Sequence, residues 1–458
     1  MQYAHISLSF IVHYKHLAIE RKSNMKAFFY TFGCKVNQYE TENIKEAMLS
    51  EGYAVTEDYA DAEVCVVNTC TVTAQSDSKC RQLIHKIKKA NPDCLIVLAG
   101  CFPQAFEKKA SALDECGIIA GTGAKKEIPA LIKRYITSGE RIVRIVPRER
   151  GEAFEKMTNS GADQKTRAYI KIQDGCDQYC TYCIIPTARG HICSKPLEDI
   201  APEVQQLVDS GHKEIILTGI NLCCYGRDFK NGTRLIDAVE AACGCDGEYR
   251  VRIGSVEPEL ISDEDILRMS KLEKLCPHFH LSLQSGCDET LQRMNRHYDT
   301  AEYAELCEKL RRHFPNCAIT TDIMVGFPQE TDEEFEKSLV FARKISFAEA
   351  HIFPYSRRPT TVADKMKGQL DRKTKHSRAA QMAEVCGATK ALYLKSLVGT
   401  VQEVLFEKET SPQWHQGHAP NYVTVKIPRT SKEVSLRRQL LKIEITSSDG
   451  EFCYGKLI

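Results

Sequence analysis

The sequence predicts an α/β protein in three consecutive parts: a parallel-sheet α/β domain, a partial (βα)6 barrel and a small antiparallel β-barrel. Two stretches in which strand-like and helix-like segments alternate, residues 25–144 and 166–395, predict the first two parts. Short strands joined by turns predict the third part, residues 396–458. Residues 145–165 are polar, and we expect them to form a linker.

The composition is that of an ordinary globular protein. The chain has 458 residues, of which 43% are hydrophobic and 27% are charged, so it can bury sizeable cores. A net charge of +1 excludes a strongly basic nucleic-acid coat but permits a local basic patch. No run of 18 apolar residues occurs, so we expect no membrane span. The 21 cysteines are an odd number in a long chain without a secretory signal, which indicates a reducing compartment such as the cytoplasm.

Residues 1–24 precede a second methionine, Met25, which is followed at once by a strand-like segment. They lack the basic region and the cleavage site of a signal peptide. We hypothesise that Met25 is the natural start and that residues 1–24 are an upstream translation artefact. A disordered or helical tail is the alternative.

In the first part, three predicted strands end in a cysteine. The segments KAFFYTFGC, EVCVVNTC and CLIVLAGC end at Cys34, Cys70 and Cys101. Ligand sites in open parallel sheets lie at the carboxyl ends of strands, so three distant cysteines can converge on one point. Buried hydrophobic cysteine is the alternative. That role is the one we expect of cysteines outside any motif, such as Cys65, Cys94 and Cys317.

The clearest chemical motif is CxxxCxxC, formed by Cys176, Cys180 and Cys183 directly after a predicted barrel strand. A tetrahedral zinc site would need a fourth ligand, for which Cys193 or His191 is available. A 4Fe–4S cluster held by three cysteines instead leaves one iron open. An open iron can bind the amino and carboxylate groups of S-adenosylmethionine (SAM), whose one-electron reduction releases a 5′-deoxyadenosyl radical. The spacing, the aromatic residue before the last cysteine and the position at the start of a barrel favour the cluster.

The last part of the chain contains the clearest basic patch. Between Lys426 and Lys442 there are six basic residues and one acid, Glu433. A nucleic-acid contact and a solvated loop are both consistent with this charge pattern.

A series of motifs occurs in the order found in the radical-SAM methylthiotransferases. The motifs are TFGCKVNQYETEN, VVNTC, AGC, GCDQYCTYCIIPTARG, LTGINL, RIGSVEP, HLSLQSG and DIMVGFPQETDEEF. From Met25 to Ile458 the chain therefore resembles this family. Its members have an N-terminal methylthiotransferase domain, a radical-SAM barrel and a C-terminal β-barrel, called TRAM, that is thought to grip RNA.

The resemblance implies two 4Fe–4S clusters and SAM as cofactors. Cys176, Cys180 and Cys183 would hold the first cluster, and Cys34, Cys70 and Cys101 would hold the second. The carbon that is modified has no acidic proton, so a radical takes the place of acid–base catalysis. One SAM would donate the methyl group and another would be cleaved. A one-electron reductant protein and a sulfur donor are the implied partners.

The resemblance also implies SAM-binding positions, each of which matches a family motif. Tyr182 belongs to the cysteine motif, and Thr218 and Gly219 would meet the methionine amino group. The ribose or carboxylate would face Arg252, Ser255 and Gln284, and the adenine would be lined by Val325 and Gly326. For Gly219 and Gly326 a tight turn is the alternative.

The family divides by substrate. The segments GCKVNQYETEN, CDQYCTYCIIP and GHAPNYVTV resemble the threonylcarbamoyladenosine group. This likeness implies 2-methylthiolation of N6-threonylcarbamoyladenosine at position 37, in the anticodon stem-loop of tRNA. The alternatives are isopentenyladenosine in tRNA, an aspartate of a ribosomal protein, and a non-catalytic zinc or Fe–S RNA-binding protein.

Four positions depart from the family pattern without removing a cluster ligand. They are Thr187, Cys223, Cys224 and Thr360. They put details of the substrate pocket in doubt. Cys223 or Cys224, near a strand end, is a candidate cofactor contact, and neutral drift is the alternative.

Overall fold

The structure is a computed structural model that describes residues 25–157, 166–408, 412–429 and 435–458. The chain forms two compact units. The first contains residues 25–149, Met157 and Thr187–Gly190, and the second contains Arg150–Lys156, residues 166–186 and the described residues from His191 onward. The predicted N-terminal extension, residues 158–165 of the predicted linker, and Lys432 and Glu433 of the basic patch lie outside the described residues.

The first unit is built on a six-stranded parallel sheet with the order β2-β1-β3-β4-β5-β6. Its strands are β1 (Lys26–Thr31), β2 (Ala54–Val55), β3 (Val64–Thr69), β4 (Leu95–Gly100), β5 (Cys116–Ala120) and β6 (Ile142–Arg144). Its helices are α1 (Lys35–Ser50), α2 (Ala74–Ala90), α3 (Cys101–Ala105), α4 (Glu107–Ser111) and α5 (Ile128–Ser138). The prediction of a parallel α/β sheet in this part is confirmed.

Local sequence accounts for these elements. Strands β3 and β4 are buried along their whole length, as continuous apolar runs in a parallel sheet should be. Gly52 follows α1 with a left-handed φ of +90°, a conformation in which many helices end. Helix α2 begins after Thr73, whose side chain accepts the N–H of Ser76, and it ends before Pro92.

The second unit begins with a partial barrel of parallel strands. Its strands are β7 (Arg167–Lys171), β10 (Glu214–Thr218), β11 (Arg250–Ile253), β12 (Ser255–Val256), β13 (His278–Leu281), β14 (Ala318–Val325) and β15 (Glu349–Pro354). A short antiparallel pair, β8 (Gln173–Asp174) and β9 (Cys193–Ser194), follows β7. Strands β7, β10 and β11 form one sheet, and β12 to β15 form another. The predicted third barrel strand is thus divided at Gly254 into β11 and β12.

Helices alternate with these strands. They are α6 (Ile185–Arg189), α7 (Ile200–Asp209), α8 (Leu235–Cys243), α9 (Asp263–Met269), α10 (Asp288–Arg293), α11 (Thr300–His313), α12 (Asp332–Ile345), α13 (Val362–Lys365) and α14 (Arg372–Ser396). Phe279, Leu281, Ile323 and Val325 belong to the core between strands and helices. Capping boxes start α9, α11 and α12.

The chain ends in a closed five-stranded barrel. Its strands are β16 (Val401–Lys408), β17 (Trp414–His418), β18 (Thr424–Pro428), β19 (Leu440–Ser448) and β20 (Cys453–Leu457). Around the barrel the order is β16-β17-β18-β20-β19. The predicted barrel is confirmed, with two differences: β17 was not predicted as a strand, and β18 and β20 are parallel where an antiparallel barrel was expected.

Within the second unit, the C-terminal barrel packs against the amino-terminal ends of the first strands of the partial barrel. Arg250, the first residue of β11, donates to the carbonyls of Glu403 (3.1 Å) and His418 (3.0 Å). Arg252 donates to the carbonyl of Pro420 (2.8 Å), and its guanidinium lies 4.6 Å from the ring centroid of Tyr422. These contacts leave the carboxyl ends of the strands on the opposite side.

All 21 cysteines lie in the described residues, and none of them forms a disulfide. Cys65, Cys94 and Cys317 are buried, which confirms the prediction made for cysteines outside the motifs. Within the described ranges, no helix combines the length and the apolar composition that crossing a bilayer requires.

Candidate functional site

The three cysteines of the CxxxCxxC motif lie in the loop that follows β8. Each thiol is close enough to the other two to affect their pKa. Burial raises the pKa of all three thiols above the usual value. A free thiolate is therefore disfavoured here, whereas a cationic metal centre would compensate the negative charge.

Each of these sulfurs accepts a hydrogen bond from a different part of the second unit. Asn221 Nδ2 donates to Sγ of Cys176 (3.7 Å), and Arg296 Nη1 donates to Sγ of Cys180 (3.3 Å). The backbone N–H of Ile185 donates to Sγ of Cys183 (3.4 Å). Asn221 and Arg296 were not predicted as site residues. Arg296 is 116 residues from Cys180, and neither residue lies within the CxxxCxxC motif.

Arg296 is held in place by a buried network. It pairs with the carboxylate of Glu257, donates to the carbonyl of Ser282 (3.3 Å) and lies 5.0 Å from the ring centroid of Tyr298. Burial raises the pKa of Glu257, while the neighbouring guanidinium of Arg296 opposes that shift. The network fixes a cation beside the cysteine loop.

Further hydrogen bonds hold the loop itself. The backbone N–H of Thr181 donates to the carbonyl of Met294 (3.0 Å), and its hydroxyl donates to the carbonyl of Arg293 (2.8 Å). Asn295 Nδ2 donates to the carbonyl of Tyr179 (3.2 Å). The segment after α10 therefore holds the cysteine loop in one conformation.

The zinc alternative finds little support. The two residues considered as a fourth ligand make other contacts: His191 Nδ1 lies 2.6 Å from Asp177 Oδ1, and the thiol of Cys193 donates to the carbonyl of Glu152 (3.3 Å). In the described part of the chain, no three His, Cys, Asp or Glu side chains are grouped so that they could hold a single metal ion. The ligands of a 4Fe–4S cluster bind different irons, so they need not converge on one ion.

Several of the predicted SAM-binding residues lie at or just beyond the carboxyl ends of barrel strands. Thr218 ends β10, Ser255 begins β12 and is exposed, and Gln284 follows β13 with a left-handed φ of +64°. At Gly219 a Cβ would lie 2.9 Å from Leu222 Cδ2 and 3.0 Å from Gln173 Oε1, so only glycine packs without a shift. Gly326 follows β14 with φ +71°, which supports a tight turn there.

Arg252, predicted to face the ribose or carboxylate of SAM, points away from the carboxyl ends of the strands. Its side chain is fully buried beside Glu214, and its Nε and Nη2 atoms lie 2.9 Å from Oε1 and 2.9 Å from Oε2 of that carboxylate. Its Nη1 atom donates to the carbonyl of Pro420 in the C-terminal barrel. Glu214 begins β10, so Arg252 points toward the amino ends of the strands. A ligand at the carboxyl ends is on the other side.

Val325, predicted to line the adenine, does not present its side chain to solvent at the end of β14. Its side chain is 1% exposed and packs in the core under the helices, because Ile323 and Val325 share one face of β14. Met324 lies on the opposite face and is half-buried.

Tyr182 packs against Phe327, with ring centroids 6.4 Å apart. Burial raises the pKa of its hydroxyl far above the usual value.

Cys223 and Cys224 are buried, and burial raises the pKa of Cys224 to about 12, with Cys176 as a further contributor. Thr360 adopts a left-handed φ of +79°. A β-branched residue adopts this conformation at a cost of roughly 1–2 kcal/mol. Glycine suits this position because it does not carry that cost.

The other three cysteines come together in the first unit. Cys34 precedes α1, Cys70 follows β3 and Cys101 begins α3 directly after β4. Strands β1, β3 and β4 are neighbours in the sheet, so their carboxyl ends meet at one edge. Cys34 and Cys101 are both close enough to Cys70 to raise its pKa, and Cys34 is close enough to Cys101 to raise that of Cys101. The pKa of Cys70 is raised to about 12, and the largest contribution comes from burial and the next from the neighbouring Cys101 thiol.

Two features bring these strand ends into contact. Gly33 has φ +109°, and a Cβ at this position would lie 2.6 Å from Cys70 Cβ and 3.2 Å from Cys70 Sγ. Asn37 Nδ2 donates to the carbonyls of Phe32 (2.9 Å) and Thr69 (3.0 Å), which joins the ends of β1 and β3. The three neighbouring sulfur donors, the burial of Cys70 and Cys101 and this close approach fit a metal cluster better than a reactive thiol.

Comparisons with known proteins agree with this geometry. A family model described as the radical SAM superfamily matches residues 170–342, and one described as uncharacterized protein family UPF0004 matches residues 26–121. The chain is 35% identical over 432 residues to the threonylcarbamoyladenosine tRNA methylthiotransferase MtaB of Bacillus subtilis (strain 168), covering 93% of this chain and 95% of that protein.

The chain is also 33% identical over 423 residues to the tRNA-2-methylthio-N(6)-dimethylallyladenosine synthase of Finegoldia magna, covering 90% and 91% of the two chains. Among solved structures it is similar to the radical SAM methyltransferase TsrM from Kitasatospora setae. The TM-score is 0.55 at 15% identity, covering 74% of this chain and 77% of that chain. At that identity the likeness shows the fold alone, and it confirms the fold predicted for the radical-SAM part.

Proposed function

This chain belongs to the radical-SAM tRNA methylthiotransferase family, and from that premise we propose that it attaches a methylthio group to C2 of N6-threonylcarbamoyladenosine at position 37 of tRNA. The observation that carries the proposal is the presence of two separate sets of three cysteines, each gathered beyond the carboxyl ends of parallel strands. A tRNA substrate would place the enzyme in the cytoplasm.

In this proposal Cys176, Cys180 and Cys183 hold one 4Fe–4S cluster, and Cys34, Cys70 and Cys101 hold the other. When bound, the first cluster would supply the electron that generates a radical from SAM, and the second would supply the sulfur. The electron and the sulfur would come from a reductant protein and a sulfur donor. The donor sets described above support both assignments.

The protein's own residues would stabilise the first cluster by neutralising its sulfurs. Asn221, Arg296 and the N–H of Ile185 each donate to one cysteine sulfur, and hydrogen bonds of this kind favour an anionic, metal-bound sulfur. SAM would bind beside this loop, among Tyr182, Thr218, Gly219, Ser255, Gln284 and Gly326.

The C-terminal barrel would bind tRNA. Arg437, Lys442 and Lys456 are exposed on it, and phosphate contacts by such side chains supply most of the affinity for nucleic acid. The contacts of Arg250 and Arg252 with this barrel would hold the bound tRNA in one orientation relative to the partial barrel.

Sequence similarity supports the threonylcarbamoyl substrate. The relative from Bacillus subtilis that is named for it is 35% identical over almost the whole chain. The relative from Finegoldia magna, named for the dimethylallyl substrate, is 33% identical, so that substrate is the second candidate.

The deciding experiment measures tRNA nucleosides in a strain that lacks the native gene for this protein. We expect the 2-methylthio derivative of N6-threonylcarbamoyladenosine to disappear, its unmodified precursor to accumulate, and a plasmid copy to restore the product. A Cys176→Ala copy should not restore it. Loss of the isopentenyl derivative instead would establish the second candidate.

A further inference from the structure

A buried group of charged residues in the first unit has no part in the function proposed above. Glu40, Lys125 and Arg189 are each at most 1% exposed. Arg189 Nη1 lies 2.8 Å from Glu40 Oε1, and Lys125 Nζ contacts Oε2 of the same carboxylate. Burying charges is costly, so such a group persists only where its charges are compensated.

This group adjoins the three cysteines of the same unit. Arg189 Nη2 donates to Oδ1 of Asn37 (2.6 Å), and the thiol of Cys34 lies 3.8 Å from that oxygen. Arg189 and Lys125 also lie close enough to Cys101 for their charges to act on its thiol. The two cations therefore act on the position where a cluster would be bound.

The charges of this group complement those of a cluster. Arg189 and Lys125 both contact the Glu40 carboxylate; burial lowers the pKa of Lys125, and the charge of Glu40 opposes that shift. With both basic side chains charged, the group carries one positive charge more than Glu40 compensates. A 4Fe–4S cluster bound by three thiolates is anionic, and it becomes more negative when it is reduced. In a medium of low dielectric constant, a buried cation stabilises the reduced form more than the oxidised form.

We propose that Arg189 and Lys125 raise the reduction potential of the cluster held by Cys34, Cys70 and Cys101, and that Glu40 lowers it. The inference rests on the proposed function, because it requires a cluster at these cysteines. It assigns a role to Arg189 that its place in the motif IIPTARG did not reveal, since this arginine lies 149 residues from Glu40 in the sequence.

The test is a redox titration of the full-length chain with Cys176, Cys180 and Cys183 replaced by alanine, so that only one cluster remains. The anaerobically reconstituted protein is reduced stepwise with dithionite, and the reduced cluster is followed by electron paramagnetic resonance. Arg189→Gln and Lys125→Met should each shift the midpoint potential to more negative values. Glu40→Gln should shift it in the opposite direction.

The opposite signs separate an electrostatic role from a structural one, since loosened packing would not depend on the sign of the charge removed. Arg268→Gln, which removes a guanidinium paired with Asp237 and Glu240 elsewhere, is the control and should leave the potential unchanged. Arg189→Lys, which keeps the charge, should stay close to the parent protein.

Two results would overturn the inference, and they have different consequences. If the triple-alanine protein binds iron but Lys125→Met and Glu40→Gln leave the potential unchanged or shift it in the same direction, only this inference fails. If the triple-alanine protein binds no iron at all, the assignment of a second cluster fails, and the proposed function fails with it.

Discussion

At the scale of single residues, the second cysteine set depends on a residue without a side chain. Gly33 lets Cys34 approach Cys70, since a Cβ there would overlap Cys70 Cβ at 2.6 Å. Gly100 has a similar role beside Cys101. Its φ is +102°, and a Cβ at Gly100 would lie only 2.7 Å from the carbonyl oxygen of Thr69. Both positions require the close approach that only glycine permits.

We therefore predict that Gly33→Ala separates Cys34 from Cys70 and removes the second cluster. Reconstituted wild-type protein should contain about eight irons per chain and the variant about four, measured by iron analysis. Gly139→Ala is a matched control, because Gly139 also has a left-handed φ of +70° but has no atom within 4 Å of its added Cβ. Equal iron in both variants would contradict the importance of this close approach.

At the scale of elements, the C-terminal barrel combines a predicted strand pattern with a predicted charge pattern. Arg437, just before β19, and Lys442, near the start of β19, are exposed, as a phosphate-binding patch requires. Lys426, on β18, instead lies over the ring of Phe452 at 3.2 Å from its centroid. The basic residues between Lys426 and Lys442 thus differ in their surroundings, and the exposed ones are the candidates for tRNA contact.

We predict that the double variant Arg437→Gln, Lys442→Gln weakens tRNA binding and lowers its salt dependence. Removing one side chain that binds a phosphate should reduce the slope of log affinity against log salt by about 0.7–0.9. Filter-binding measurements between about 50 and 200 mM salt would show this, while 5′-deoxyadenosine formation without tRNA should be unchanged. The pair Lys86→Gln, Lys89→Gln on α2 is the control, and an equal loss of affinity there would refute a specific patch.

At the scale of the whole second unit, buried ion pairs join the partial barrel to the C-terminal barrel. Glu214 accepts from Arg250 (2.6 Å) and lies 3.1 Å from Arg167, which also pairs with Glu407. His418 Nδ1 lies 3.0 Å from Glu407 Oε1. Burial lowers the pKa of His418, an effect that the hydrogen bond to Glu407 opposes and the charge of Arg167 reinforces.

The pKa of His418 predicts how the stability of the folded chain depends on pH. Because its pKa is lower in the folded chain than in the unfolded chain, where it is about 6.5, the unfolded chain takes up the proton first as the pH falls. The contribution of neutral His418 is complete above about pH 6.5 and is lost as the pH falls below it.

Thermal unfolding between about pH 7.5 and 5.5 should therefore show a smaller decrease of the midpoint in His418→Gln than in the wild type. The exposed His376 on α14 provides the control variant His376→Gln, which should follow the wild type. Identical curves for all three proteins would contradict this assignment.

Sequence patterns predicted most of the elements, because periodicity reports burial. Strands β3 and β4, which are buried along their whole length, are examples. The strand Trp414–His418 was missed because its sequence, WHQGH, is polar and contains glycine. The direction of the Arg252 side chain was missed because motif position does not specify toward which end of a barrel a side chain bends.

The candidate site was predictable only in part for a similar reason. The CxxxCxxC spacing is local and visible in the sequence, whereas Cys34, Cys70 and Cys101 were identified by their places at the ends of predicted strands and by the family resemblance. Residues that bond to them from far along the chain, such as Asn221 and Arg296, are brought there by tertiary structure. Their sequence separation from the cysteines follows no period.

The parallel pairing of β18 with β20 has a consequence for how the C-terminal barrel closes. In chain order β20 comes after β19, yet it occupies the place between β18 and β19. Without β20, the other four strands can form only an open sheet whose two edges, β18 and β19, are unsatisfied. The C-terminal barrel therefore closes only once Cys453–Leu457 lies between strands that precede it in the sequence.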